Sequence, residues 1–349
     1  MDEKNQFVQA SETLANLGDS LSALNIIGKE LGVSRIADVY HYTDVTGFIS
    51  IMTKQELWAS HIAFMNDRSE YLHGKELFRK KLIEKMDSVQ EVEQKILQNV
   101  LDSLDKEMSD SIMPTSGKDV FSVSFTYDRD SLEMWRGYGK ESGIAIGFDW
   151  VKCNSLPGMC LIREEQYEAL LEKYDNKPEE VCAEKNRRFF PQAVFYKDEK
   201  KNELAEKVIN KALDYFRNIN NDSEKPELAI ITVSQFLSDL IFKINPFFKH
   251  IGFEGEKECR FVDNYTTFEK GQDQVLFRKR GGIILPYVKY KMMDLDCRPL
   301  KQIPIKEIVV GPGLKQQRAV DSVKYFLEKN NMNYLVDKVC ASTIPYVDV

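Results

Sequence analysis

Val120-Phe121-Ser122-Val123-Ser124-Phe125-Thr126 alternates apolar and hydroxyl-bearing side chains with a period of two. That is the pattern of a strand with one face in a core: Phe121, Val123 and Phe125 take one side, and Ser122 and Ser124 the other. The two hydroxyls line a pocket or meet solvent. Gly143 to Phe148 is a second run of this kind, and a short helix through Leu132, Trp135 and Arg136 separates the two. Toward the N terminus, Ser69 to Asp110 is helical and heavily charged, with a break at Asp87-Ser88, where Ser88 and Glu91 have the spacing of a capping box. Before it, Ala37 to Tyr42 reads as a strand, Val45, Phe48, Ile49 and Met52 mark a helix, and Leu57 to Phe64 is a second extended run. Residues 1–35 read as a helical arm, with Leu14, Leu17, Leu21, Leu24 and Ile27 at three- and four-residue steps.

Toward the C terminus, Glu199 to Ile219 and Leu228 to Phe248 form a second helical block, with Pro226 just inside the restart. Strands follow at Glu258 to Val262, Val275 to Arg278, Gly282 to Tyr290 and Glu307 to Val310, then a helix from Gln316 to Lys329 and a strand near Val339 to Ser342. The economical reading is an N-terminal arm over 1–35 and one mixed α+β domain over 36–349, with helical insertions at about 69–110 and 199–250.

The 349 residues are 43% hydrophobic and 30% charged, an ordinary globular composition. With 48 Lys and Arg against 55 Asp and Glu, the net charge of -7 gives no global field to hold a polyanion. The run Arg79, Lys80, Lys81 and Lys85 is then a solvated helix face or a local nucleic-acid contact. Cys153, Cys160, Cys182, Cys259, Cys297 and Cys340 form no C-x-x-C pair and no zinc-ligand spacing, so we expect reduced thiols and no metal. The polar, acidic opening lacks a basic n-region followed by an apolar h-region, which predicts no secretory signal and a cytoplasmic location. Leu228 to Phe242 is interrupted by Ser234, Gln235, Ser238 and Asp239, so it reads as a core helix and no membrane is implied.

No phosphate-loop, nucleophile-elbow or H-E-x-x-H motif occurs, and Gly137-Tyr138-Gly139 precedes a strand where a dinucleotide fingerprint must follow one. Chemistry concentrates elsewhere. Tyr40-His41-Tyr42-Thr43 ends a strand directly before a helix starting near Asp44, a place for a phosphate or carboxylate; the alternative is a core His41 with Asp44 as a helix cap. Asn66-Asp67 begins the first helical block, with Asp67 as a cap or a site residue. Trp135-Arg136-Gly137-Tyr138-Gly139 suits the stacking of a flat ring and the pinning of a phosphate, with a core Trp135 as the alternative. Glu256, Glu258 and Arg260 would share one strand face, solvated, paired or holding a ligand such as a ribose diol.

Together these segments resemble the bacterial domain-of-unknown-function family 2971. The likeness rests on His41-Tyr42-Thr43, Gly47-Phe48-Ile49, Leu57-Trp58-Ala59-Ser60, Asn66-Asp67 with Glu70, Phe121-Ser122 and Trp135-Arg136-Gly137-Tyr138-Gly139. It continues through Gly143 to Phe148, Val194-Phe195-Tyr196, Glu256-x-Glu258-x-Arg260, Glu307 to Gly311 and Ser342 before Pro345-Tyr346. The strand ending His41-Tyr42-Thr43, the helix with Phe48, Ile49 and Met52, and the Leu57-Trp58 strand also resemble the opening of ADP-ribosyltransferase-like folds.

That second resemblance implies a mainly antiparallel sheet and an enzyme that cleaves the nicotinamide–ribose bond of NAD, as a toxin or antiviral effector. In such enzymes a histidine or arginine on the first strand holds the NAD ribose, an aromatic stacks on nicotinamide, and a late glutamate bonds the ribose hydroxyls. Carried over, His41 matches the first position and Glu258 or Glu256 the last, with Tyr138, Trp135 and Ser124 as candidates for the middle. The expected catalytic set is Glu258, His41 and Tyr138, with Tyr42, Thr43, Asn66, Asp67, Ser122, Ser124, Trp135, Arg136, Glu256 and Arg260 binding the nucleotide. The acceptor would be a protein or nucleic acid, and the arm or the helical insertions would meet a protein partner. Two other readings stand beside it: a non-enzymatic nucleotide-sensing or protein-interaction module, and a metal-dependent hydrolase or nuclease using Asp67, Glu70, Glu256 and Glu258.

Overall fold

The structure is a computed structural model that describes residues 38–65, 70–109, 118–139, 143–155, 158–164, 167, 171–172, 177, 191–220, 226–266 and 275–345. The arm expected over 1–35, together with Asn66 and Asp67, lies outside the described residues.

Strand β1 (Val39–Thr43) leads into helix α1 (Val45–Lys54), which Asp44 starts by accepting the Gly47 N–H at 2.7 Å. Capping, one of the two roles open to Asp44, is thus the one it fills. The helix stops where Gln55 turns left-handed at φ 53°. Its buried face is Phe48, Ile51 and Met52; Val45 and Ile49, expected on that face, are exposed. Strand β2 (Glu56–His61) precedes helices α2 (Glu70–Met86) and α3 (Glu91–Ser109). The break between them lies at the expected place, but Glu93, not Glu91, accepts the N–H of Gln90 at 3.0 Å, while the Ser88 hydroxyl turns back to the Lys85 carbonyl. The cap is therefore two residues later than the capping-box spacing predicts.

Strand β3 (Lys118–Thr126), helix α4 (Leu132–Tyr138) and strand β4 (Ile144–Phe148) follow as expected. Helix α5 (Trp150–Asn154), strand β5 (Met159–Arg163) and the two-residue β6 (Gln192–Ala193) were not foreseen. Helices α6 (Asp198–Asn220) and α7 (Pro226–Ile244) precede β7 (Glu258–Thr266), β8 (Leu276–Arg280), β9 (Ile283–Asp294) and β10 (Ile305–Val310). Helix α8 (Gln316–Lys329) and β11 (Val339–Ala341) close the described chain.

The fold is mixed α+β, and the eleven described strands form one sheet, antiparallel except for the β10–β11 pair. Its main path runs β11-β10-β4-β1-β3-β2-β9-β5, with β7 and β6 beside β3 and with β8 on β9. Strand β3 organises the site. One edge pairs along its whole length with β7, from Lys118 opposite Thr266 to Thr126 opposite Glu258. The other edge is shared: Tyr40 of β1 faces Thr126, while Ser60 and His61 of β2 face Ser122 and Phe121. The sheet forks between those contacts.

One core lies under this sheet, where Phe48, Phe121, Phe125, Ile146, Val288 and Leu327 pack with α1 and α8. The second joins the two helical insertions into one layer, with Phe78, Leu97, Val208, Leu237 and Phe248 shared among α2, α3, α6 and α7. Arg79 pairs with Asp105 at 2.6 Å and Lys81 with Glu206 at 2.7 Å, so half of the expected basic run is neutralised by facing helices. Among the described residues no helix is long and apolar enough to cross a membrane, and α7 buries Val233, Leu237 and Ile241. Cys153, Cys160, Cys259 and Cys340 are free thiols, whereas Cys297 is disulfide-bonded; sequence spacing could not show this, because a disulfide depends on the approach of two Cα atoms in space.

Candidate functional site

A left-handed corner at Lys257, φ 45°, ends the turn over Ile251–Glu256 and starts β7. Glu256 and Glu258 thereby converge on one ammonium group: Lys249 Nζ lies 2.5 Å from Glu256 Oε2 and 2.8 Å from Glu258 Oε2. Arg260, 0% exposed, donates Nε and Nη2 to the two oxygens of Glu258, each at 2.6 Å, and Nη1 to the Pro246 carbonyl at 2.8 Å. The Glu258 N–H donates to the Tyr196 hydroxyl at 2.8 Å. Burial alone would push the Glu258 carboxyl up, but Arg260 and Lys249 outweigh it and hold it well below the usual carboxylate range. Of the outcomes open to these charges, pairing is the one realised, although Glu256 sits in the turn and not on the strand. Beside them is the half-buried Tyr138, whose phenol is pushed up to about 12 by burial and by Glu256 and Glu258, against Lys249 and Arg280. Tyr138 is a neutral hydrogen-bond donor at physiological pH.

The serines continue this polar face. In register, Ser124 lies opposite Arg260, Thr126 opposite Glu258, and Ser60 of β2 opposite Ser122. Ser122 and Ser124 are buried at Oγ with no hydrogen-bond partner, as is Gln192 at Oε1, opposite Arg260 on the far edge of β7. His41 Nδ1 approaches the Ser124 carbonyl at 2.9 Å, at the fork in the sheet, and its ring lies 5.6 Å from Phe125. A carbonyl only accepts, which assigns the proton to Nδ1 and leaves Nε2 as the basic nitrogen. Burial lowers the His41 pKa, opposed by that hydrogen bond and reinforced by the charge of Arg278, so the ring is neutral at pH 7. Tyr40, not His41, stands opposite Thr126 and so in line with Glu258; His41 shares the Phe125 side of the sheet and meets β3 at the Ser124 carbonyl.

Three groups here were not anticipated. Lys249 follows the apolar Phe247-Phe248, and a lysine ending a buried run needs an acid nearby, which was the available signal. Tyr196 stands in the Val194-Phe195-Tyr196 segment of the family likeness, but nothing in that segment points to a place in the site. Arg278 reaches across β9 to donate Nη2 to Ser60 Oγ at 2.8 Å, with its guanidinium 5.3 Å from the Trp58 ring and 5.4 Å from the Tyr287 ring.

Several expected binding residues do other work. Trp135 is 2% exposed, donates Nε1 to Asp130 at 2.7 Å and packs 4.5 Å from the Tyr42 ring, so it takes the core place that was its alternative. The glycines around it serve that packing: a Cβ on Gly139 or Gly311 would lie 2.7 or 2.9 Å from Trp135 Cε3. Tyr42 donates to the Asp128 carbonyl and accepts the Ser131 N–H, both at 3.1 Å, fixing the start of α4. The hydroxyl of Thr43 fills the space above Gly47, and Arg136 is exposed on α4. Among the described residues no group of three or more His, Cys, Asp or Glu is placed to hold a metal ion.

No curated protein and no solved structure matches the chain. Residues 134–261 do match one family model, described as a protein of unknown function (DUF2971). The matched stretch runs from α4 into β7 and holds Tyr138, Tyr196, Lys249, Glu256, Glu258 and Arg260 but not His41, and it supports a relationship to that family.

Proposed function

We propose that the polar face of β2, β3 and β7 binds NAD or a related nucleotide and cleaves its nicotinamide–ribose bond, in the manner of an ADP-ribosyltransferase-like enzyme. The observation that carries this reading is the run of Ser124, Arg260 and Glu258 on one face of β3 and β7, with Tyr138 of α4 beside it and His41 at the adjoining fork of the sheet. Nicotinamide leaves with the bonding electron pair through an oxocarbenium-like state; water or a protein or nucleic-acid acceptor then adds to the ribose and gives up its proton. Glu258, held ionised, stabilises the developing cation and orients the 2′-hydroxyl, while the neutral His41 bonds the ribose. The helical layer offers a surface for a protein acceptor, and a cytoplasmic toxin or antiviral effector is the setting that goes with NAD consumption.

One observation favours a second reading, nucleotide sensing without turnover: both oxygens of Glu258 are engaged by Arg260 and Lys249. The metal-dependent hydrolase gains no such support, since Glu256 and Glu258 are turned to Lys249 and Arg260.

The test is to incubate the protein with NAD, with and without cell extract, and to follow free nicotinamide by chromatography. His41→Ala and Glu258→Gln run in parallel, each first shown folded by circular dichroism. Release by the wild type and its loss in His41→Ala establishes the glycosidic chemistry. Absence of release with calorimetric binding of NAD selects the sensor. If NAD is neither cleaved nor bound, both readings fall.

A further inference from the structure

Arg278 is a half-buried guanidinium that makes no ion pair among the described residues, and its Nε is buried without a hydrogen-bond partner. It rests on a shelf of Trp58 and Tyr287, whose rings stack at 4.7 Å, and its Nη2 is fixed on Ser60 Oγ. Ser60 and Ser122 are directly opposed in the β2–β3 register, so they share a face with Cβ atoms about 5 Å apart. Ser122 is 2% exposed, and its Oγ has no partner either. A cationic fork with a spare N–H thus stands beside a spare buried hydroxyl, on the face that carries the nucleotide reading.

Resting on that reading, we propose that Arg278 and Ser122 hold a phosphate group of the bound nucleotide. The spare Nε–H and the Ser122 O–H are the donors an oxyanion takes, and the aromatic shelf keeps the fork in plane to meet it. Stacking on Trp58 and Tyr287 would by itself give Arg278 a folding role only. Ser122 separates the two cases, because its hydroxyl makes no hydrogen bond that folding could use.

The experiment titrates the full chain by calorimetry with NAD, ADP-ribose, inorganic pyrophosphate and adenosine. We expect Arg278→Gln to weaken ADP-ribose binding about tenfold to a hundredfold, the worth of a charge-assisted hydrogen bond, and to leave adenosine binding unchanged. Ser122→Ala should weaken ADP-ribose about fivefold at an unchanged melting temperature. Equal ADP-ribose affinity in wild type and Ser122→Ala, or in wild type and a folded Arg278→Gln, overturns the anchor and leaves the NAD reading standing. Pyrophosphate binding that requires Arg278, with no binding of ADP-ribose or NAD, supports the anchor and overturns the NAD reading. If none of the phosphate compounds binds, the anchor falls.

Discussion

Glu258 is the hinge of its cluster, because two cations with little access to water depend on its charge. Replacing it by Gln takes from both Arg260 and Lys249 the carboxylate they share, and we expect a loss of about 3–5 kcal/mol in urea unfolding, the cost of breaking a buried ion pair from one side. The same interaction sets a pH dependence. The folded carboxyl titrates below its unfolded value of about 4.3, so its stabilisation is complete above that pH and is lost as the pH falls through the folded value. The stability gap between wild type and Glu258→Gln should therefore be constant from pH 7 to about 5, shrink from about 4 downward and close by about 2. A gap that stays open into acid would show that the charge of Glu258 is not what the cluster needs.

Helix α4 shows what a motif conceals at the level of an element. Consecutive helical residues point about 100° apart, so Arg136 faces nearly opposite Tyr138, and the two cannot serve one ligand together. Trp135 enters the core, Arg136 meets solvent and Tyr138 turns to the carboxylates. Gly139→Ala should cost about 1–3 kcal/mol and alter tryptophan fluorescence, because its methyl would meet the Trp135 ring and backbone. Strand β3 announces itself by the alternation of its polar face, β4 and β10 by their apolar, β-branched content, and α8 by its period. Strand β5 was not legible, since Met159-Cys160-Leu161-Ile162 is apolar on both faces and carries no alternation. In the site, the shared direction of Glu258 and Arg260 was readable from their spacing and an acid partner for Lys249 from its apolar run, whereas which acid it meets, and the arrival of Tyr196 and Arg278, depend on tertiary contacts that no local pattern encodes.

Across the whole molecule, two cores meet at one seam. Lys201, 0% exposed, bonds Asp198 at 2.7 Å, His73 Nε2 at 2.8 Å and the Lys249 carbonyl at 3.2 Å, which ties the helical layer to the residue that grips Glu258. Leu237→Ala, in the middle of the helical core, should cost about 2–5 kcal/mol. Hydrogen exchange should then quicken in α2, α3, α6 and α7 and at Glu258 before it does in β4 and β10; uniform quickening would mean that the two cores open as one unit.

The pairing of β3 with β7 also has a consequence for how the chain assembles. Thr126 donates to the Glu256 carbonyl across 130 residues of sequence, and a loop of that length is slow to close. Helices α6 and α7 lie inside that span, and each needs mainly local contacts to form. If they pair first, the distance left to close is much shorter than the contour of the chain. The helical layer then serves as a folding scaffold for the site as well as its cover, and a substitution that slows α6–α7 docking delays the joining of Ser124 to Arg260 without touching either residue.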